Sequence, residues 1–442
     1  MGVGGVGRAR GDARRREPRR RPPMKRTLAV LLSSSLLLAG VSCSKDARPV
    51  RVGAIYPLTG SQGPGGRDEF RGVSLATDLV NADGGIGGRP IELTPLDVAG
   101  GDAAPGAVDT LADQGIRFIL GSYGSTISQP AAAEAARRDV LFWETGAVGS
   151  SSPSSGGRLF FRVAPSGQLL GSDAISFVDR QLLPMLRPML RRSPRSLRFA
   201  VANVNDVYGS AVADGAIARI RALGLPFVGR FVYDAAHLDA HAVIQRIAAV
   251  HPDALFVSAY VRDGIALRRE MVRQRLRLIT NIGTSSSYCM PAFGAALGPE
   301  AVGLFASDKL DSEYVDPAGL TPSGRALLDR ARTAYEGRYH EEMSAAALAG
   351  FSSAWALFHM VLPAAGTMTP EAAATAALQM RVPVGDLPNG SGLAFAPPGT
   401  SDPGANLRAM SVIWEWVRPG VRAVVWPQRF ATAPIAPIRI EP

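Results

Sequence analysis

Few residues in this chain are spaced for covalent chemistry. His237 and His241 lie four apart with Asp239 between them, a spacing that puts two imidazoles on one helical face and could bind a divalent metal. They open an amphipathic surface helix, where a solvated pair is the plainer expectation, so no metal site is assigned. His340, followed by Glu341 and Glu342, falls where a helix ends, and His251 and His359 stand alone. None of these is placed as a general base. The run GVGGVG at residues 2–7 has the spacing G-x-G-x-x-G, but no strand precedes it, so the glycines have no phosphate to cradle. The 442 residues contain no P-loop, no G-x-S-x-G elbow and no cysteine cluster. The sequence points to binding with no catalysis and no cofactor.

The chemistry that the residue types do support is capture of a small polar solute. In G-S-Y-G-S-T-I-S-Q-P-A, residues 121–131, Ser125, Thr126 or Ser128 can cap a following helix whose first turn accommodates Pro130. That helix end offers free N–H groups and positive potential, which suits a carboxylate. Plain capping with no ligand is the alternative. Tyr123 adds an aromatic wall and Thr126 a hydroxyl. The stretches 56–66, 144–152, 203–209, 258–263 and 283–289 share this content of Gly, Ser, Thr and Tyr. From them come Gly146, Ala147, Tyr208, Tyr260 and Thr284, which join Tyr123, Ser125 and Thr126 as the candidate ligand set.

These stretches are useful only if a scaffold brings them together. Residues 50–164 alternate strand-like runs (51–58, 90–98, 116–122, 140–144) with helix-like ones (67–81, 103–114, 129–138), the mark of βαβ units and a parallel sheet covered on both faces. The pattern resets near residues 160–165. A long helix over 167–190 then leads into strands at 197–204, 227–233, 254–260 and 276–282, with helices at 208–223, 240–250 and 263–275 between them. Helices follow at 323–339, 344–361 and 370–379, then two strand-like runs, MSVIWEWV and RAVVWP, split by Pro419-Gly420. The fold class is α/β, with two doubly wound parallel sheets. Ligands of such sheets sit beyond the carboxyl ends of the strands, where every candidate stretch falls.

Two features of composition need placing. Residues 1–26 carry ten basic side chains against Asp12 and Glu17, so most of the formal charge of +10 lies in this extension and the body offers no concentrated nucleic-acid face. From Met24 the run MKRTLAVLLSSSLLLAGVSCSK has two positive charges, a mostly apolar stretch and then Cys43, an export signal over residues 24–42. It is similar to a bacterial lipoprotein signal, in which such a cysteine receives the lipid, although Gly40 stands where a branched apolar residue is usual. Cys289 is the only other cysteine, so the fold has to be stable without a disulfide. No Asp, Glu, Lys or Arg occurs between Glu342 and Glu371. Ser344, Ser352, Ser353, His359 and Pro363 make this stretch a buried core helix, not a membrane span.

Taken in order, YPLTG at 56–60, NADGGIGGRPIEL at 81–93, Asp97, GSYGSTISQPA, VYG at 207–209 and the closing WEWV and VVWP runs resemble the Leu/Ile/Val-type substrate-binding proteins of ABC transporters, over about residues 50–427. The resemblance implies a type I periplasmic binding fold, two Rossmann-like lobes joined by three hinge crossovers that close on a solute. Lobe 1 is then 50–163 with 307–388, and lobe 2 is 164–306 with 389–430. Residues 1–23 form an extension, 43–49 a lipidated tether and 431–442 a tail. The implied partners are a small polar solute, an ABC permease and, through Cys43, a membrane. The implied location is extracytoplasmic, and the implied state a monomer. In amino-acid-binding members the solute carboxylate is held at positions matching Ser125 and Gly146, with walls matching Tyr208 and Tyr260. Three positions depart. Gly65 replaces a tyrosine, Val148 replaces a threonine, and 283–286 lacks the acid that pairs the α-amino group. Glu144, Asp206 or Asp263 could substitute, or Glu144 could face solvent at its strand end. An amide, a hydroxy acid, an aromatic acid and a short peptide stay open as ligands.

Overall fold

The computed structural model describes Met1 and residues 48–60, 62–149 and 157–436. The basic extension, the export signal at 24–42 and Cys43 lie outside the described residues.

Strands β1 (Val50–Tyr56), β2 (Ile91–Asp97), β3 (Phe118–Gly121), β4 (Leu141–Glu144) and β5 (Phe160–Arg162) form one sheet in the order β2-β1-β3-β4-β5, with all pairings parallel. Helices α1 (Gly63–Ala82), α2 (Ala104–Asp113) and α3 (Ser125–Arg137) connect them. Every residue of β3 and β4 is buried, because helices cover both faces; FILG and LFWE accordingly read as runs with no polar alternation. Two helices start earlier than the sequence pattern predicts. Pro64 sits in the first turn of α1, where its missing N–H costs nothing, and carries Gly65 and Gly66 into the helix. Helix α3 begins at Ser125, so Pro130 lies inside it and not in its first turn.

The second sheet follows helix α4 (Gly167–Phe177), which continues through a wider turn over Val178–Leu182. Its parallel part is built from β6 (Phe199–Val204), α5 (Val207–Ala222), β7 (Phe227–Tyr233), α6 (Ala240–Ala248), β8 (Ala254–Ser258), α7 (Val261–Arg273), β9 (Thr280–Thr284), α8 (Pro291–Leu297) and β10 (Phe305–Asp308). The chain then leaves through α9 (Pro322–Tyr339), α10 (Ala345–Trp355) and α11 (Pro370–Gln379), and returns as β11 (Val412–Arg418) and β12 (Val421–Trp426). The strand order is β12-β11-β10-β9-β8-β6-β7. This sheet is not wholly parallel. The turn at Gly420, φ 71°, is too short for a crossover, so β11 and β12 form a hairpin that joins β10 antiparallel.

The uncharged stretch is a core helix, as its serines and proline predict. Ala345–Ala365 has a mean hydropathy of 1.5 over its most apolar window, 78% of which is buried in protein. It lies directly on α1: a Cβ added to Gly72 would stand 1.9 Å from the Ala347 carbonyl oxygen, and one added to Gly350 would stand 2.1 Å from that of Glu69.

The turn motifs have local explanations. In NADGGIGG the four glycines all have positive φ, and Asn81 closes the turn by exchanging hydrogen bonds with the backbone of Ile91 at 2.7 and 2.9 Å. Asp97 accepts from Leu58 N at 2.8 Å and from the Thr59 hydroxyl at 2.6 Å, fixing the loop that leaves β1.

Candidate ligand-binding site

The loops that leave β1, β3, β4, β6, β8, β9 and β10 converge on one cavity of about 190 Å³ between the carboxyl ends of the two sheets. Its walls come from both lobes. Gly65, Tyr123, Ser125 and Gly146 face it from the first, and Tyr208, Tyr260 and Ser286 from the second. Five of the eight candidate residues, Tyr123, Ser125, Gly146, Tyr208 and Tyr260, therefore line one space. Three do not: the Thr126 hydroxyl meets Gln62 Nε2 at 3.4 Å, Ala147 is buried beside Glu144, and Thr284 is fully buried at the end of β9.

Glu144 is the organising residue of the first-lobe wall, and it does not face solvent. It is fully buried, and its carboxylate accepts from Ser122 N at 3.0 Å, Gly146 N at 2.9 Å, Ala147 N at 2.7 Å and the Ser128 hydroxyl. Burial raises its pKa, and these donors pull it down. The network uses up the N–H of Gly146, so that group is not available to a solute carboxylate. Neither Ser125, Thr126 nor Ser128 caps α3. Ser125 is its first residue and accepts from Gly149 N at 2.9 Å, while Ser128 is held by Glu144. The Gly124 carbonyl accepts from Ile127 and Ser128, leaving the N–H groups of Ser125 and Thr126 without an intrahelical partner, as at any helix start. The Ser125 hydroxyl proton and these two N–H groups are the donors at this end.

Tyr123 has φ 69°, a left-handed conformation that costs energy for a bulky residue and is held by what surrounds it. Its ring lies over Gly65: a Cβ there would come within 2.2 Å of the phenol oxygen. The aromatic wall missing at Gly65 is thus supplied from the next loop.

On the second lobe, Tyr208 and Tyr260 pack with ring centroids 5.3 Å apart. Asp206 accepts from Gly209 N at 2.7 Å, capping α5, and from the Tyr260 hydroxyl at 2.7 Å. Asp263 accepts from Tyr260 N at 3.0 Å and Tyr233 Oη at 2.6 Å. Both acids are engaged in holding this wall. Burial pushes the Tyr208 phenol up to about 12, so it stays protonated.

Sequence reasoning missed the charged part of the cavity. Asp68 and Arg422 line it, as do Asp308, Lys309 and Asp311 where the chain leaves β10. A charged pair closing the apolar run LFAS was the available signal. Glu69 lies behind Gly146, fully buried, accepting from the Thr145 hydroxyl at 2.6 Å. Burial pushes its pKa up to about 7 against the pull of the Lys309 ammonium.

The two histidines are held separately, His237 by Asp234 at 2.8 Å and His241 by Glu270 at 2.8 Å. Among the described residues no cluster of three metal-ligating side chains occurs.

A family model described as periplasmic binding protein matches residues 49–410. Leu/Ile/Val-binding protein homolog 8 of Brucella abortus is 24% identical over 410 residues, 92% of this chain and 96% of that protein. Homolog 7 of Brucella melitensis is 22% identical over 319 residues, 72% of this chain and 77% of that one. Among solved structures, an extracellular ligand-binding receptor from Rhodopseudomonas palustris superposes with a TM-score of 0.69 at 17% identity, covering 86% of this chain and 99% of that one. The branched-chain amino acid transporter substrate-binding protein LivJ from Streptococcus pneumoniae, crystallised with isoleucine, gives 0.66 at 18%, covering 86% and 100%.

Proposed function

Because the chain belongs to the periplasmic binding protein family, and so works outside the cytoplasm, we propose that it captures an amino acid or a related small polar solute by closing its lobes and delivers it to an ABC permease. The observation that carries this is the single cavity walled by Tyr123 and Ser125 from one sheet and by Tyr208 and Tyr260 from the other. In this reading the lobes hinge at three chain crossings, after β5, after β10 and ahead of β11. Binding selects the closed population because only there do both walls touch the solute. The Ser125 hydroxyl and the start of α3 take the carboxylate, and the tyrosines exclude water. The solute leaves chemically unchanged. The names of the Brucella relatives and of LivJ support the solute class. Lipid on Cys43 tethers the monomeric receptor beside its permease.

A thermal-shift screen of the full chain against amino acids, amides, hydroxy and aromatic acids, short peptides and sugars tests the reading. Ligand that binds only the native state has to raise the melting temperature, and a rise of several degrees with amino acids is the expected result. No rise with any class would overturn solute capture.

A further inference from the structure

The loop that follows β4 is held by its carbonyls as well as by its N–H groups. The Gly146 carbonyl accepts from Lys309 Nζ at 2.9 Å, the Val148 carbonyl from Gly167 N, and the Gly149 carbonyl from Arg162 Nη2 at 2.9 Å. These donors stand at the proposed crossings, Arg162 and Gly167 at the one after β5 and Lys309 at the one after β10. Gly149 also fills a tight place between the lobes. A Cβ added to it would stand 2.6 Å from Ser125 Cβ and 2.9 Å from Val207 Cγ1 at the start of α5.

Arg162 is the unusual donor. It is the last residue of β5 and fully buried, with its guanidinium carbon 5.5 Å from the centre of the Phe160 ring. A buried charge is costly unless it is paired and hydrogen-bonded. The pairing comes from Asp402, whose Oδ2 accepts from Nη1 at 3.1 Å while Nη2 keeps the Gly149 carbonyl. Asp402 belongs to the segment that leads into β11, the third proposed crossing, and this segment runs along β5. Arg162 N donates to the Gly404 carbonyl at 2.9 Å, and Asn406 N donates to the Arg162 carbonyl at 3.0 Å. One guanidinium thus joins two crossings to the loop whose Gly146 and Val148 line the cavity.

The next link is Ser125. Gly149 N donates to its Oγ at 2.9 Å, and with that lone pair occupied the hydroxyl proton points away from Gly149 and is left for a solute. Resting on the solute-capture reading, we infer that Arg162 is a positioning residue: through Gly149 it holds Ser125 as a donor to the solute, and through Asp402 it makes that geometry follow the crossings. A lobe movement that shifts residues 402–406 pulls on the guanidinium, and the guanidinium pulls on Gly149. The grip on a carboxylate is therefore set by the hinge as well as by the wall, an energetic coupling between Asp402 and Ser125.

Titration calorimetry on the full chain tests this with L-leucine, L-valine, L-phenylalanine, L-glutamine and the 2-hydroxy acids of the same side chains, all of which present a carboxylate. For each that binds the wild type, Asp402→Asn is expected to weaken binding roughly fivefold or more, and Ser125→Ala to weaken it as well. In the double variant Asp402→Asn should add less than about twofold to the loss from Ser125→Ala, because the link it works through is gone. A merely structural role would cost the same factor in both backgrounds. That outcome, or no loss in Asp402→Asn, would overturn the assignment and leave solute capture standing. Arg162→Lys, whose ammonium cannot span both acceptors, is expected to behave as Asp402→Asn does. Hydrogen exchange on the ligand-free chain gives a readout that needs no solute. In Asp402→Asn the Gly149 amide should exchange faster while β6, β8 and β9 keep their protection, and acceleration throughout the chain would overturn positioning as well. If none of these carboxylates binds the wild type, the assignment falls, and the wider thermal-shift screen alone decides solute capture.

Discussion

Lys309 Nζ donates to the Gly146 carbonyl at 2.9 Å, joining the segment that leaves β10 in the second sheet to the loop that follows β4 in the first. Lys309 is the first residue after β10, at one of the proposed crossings, so the bond anchors that crossing to the first-sheet wall of the cavity. Lys309→Met keeps the aliphatic stem and removes the donor. Its expected effect is a larger radius of gyration in X-ray scattering and roughly tenfold weaker solute binding, the usual worth of a hydrogen bond from a charged donor. Unchanged values for both would show that closure does not depend on this bond.

Stability should fall as pH rises from about 5 to above 7. The Glu69 pKa is raised from 4.5 to about 7 by burial, so in this window the folded chain holds a proton that the unfolded chain has lost. The contribution is full below the unfolded pKa and is gone once pH passes the folded one. Glu415, also raised to about 7 by burial, acts in the same direction. Glu69→Gln should flatten part of the slope, by up to about 3 kcal/mol between the two limits, in urea titrations at several pH values. An identical slope in the variant would remove Glu69 as a source.

Gly65→Ala tests the packing of the aromatic wall. The new methyl would stand 2.2 Å from the Tyr123 ring, so the ring has to move out of its place in the cavity. Solute affinity should drop by about 1–2 kcal/mol in calorimetry, with little change in melting temperature. Undiminished affinity would mean that the Tyr123 ring is not a working wall.

Gly72→Ala addresses the core instead. Its Cβ would stand 1.9 Å from the Ala347 carbonyl oxygen, and backbone cannot rotate away as a side chain can. The α1–α10 pair should separate at a cost of about 1–3 kcal/mol, read as a lower urea midpoint with an unchanged slope.

Both sheets, their strand order of appearance and the buried nature of 345–365 were legible because period and apolar runs report burial directly. Helix starts were less so. Gly63, Gly65 and Gly66 read as loop, yet a proline at the start of α1 fixes them in a helix; α3 begins with no side-chain cap to announce it. At the site, the loops and the three tyrosines were visible as residue types at strand ends. Asp308 and Lys309 were not singled out, since a charged pair after a strand usually meets water, and only the fold shows these two turned inward. Glu144 was visible, but its role was not. A strand-end acid gives no sign in sequence that three backbone N–H groups will fold back onto it.

The β11–β12 hairpin bears on how the receptor is made. Arg422 of β12 reaches Asp311 across 111 residues of chain and completes one side of the cavity. During synthesis the second sheet therefore stays one edge short, with β10 unpaired on that side, until the last strands have been made. A chain not yet complete has no finished pocket, so a ligand cannot stabilise it early, and the open β10 edge is the surface most in need of protection until then.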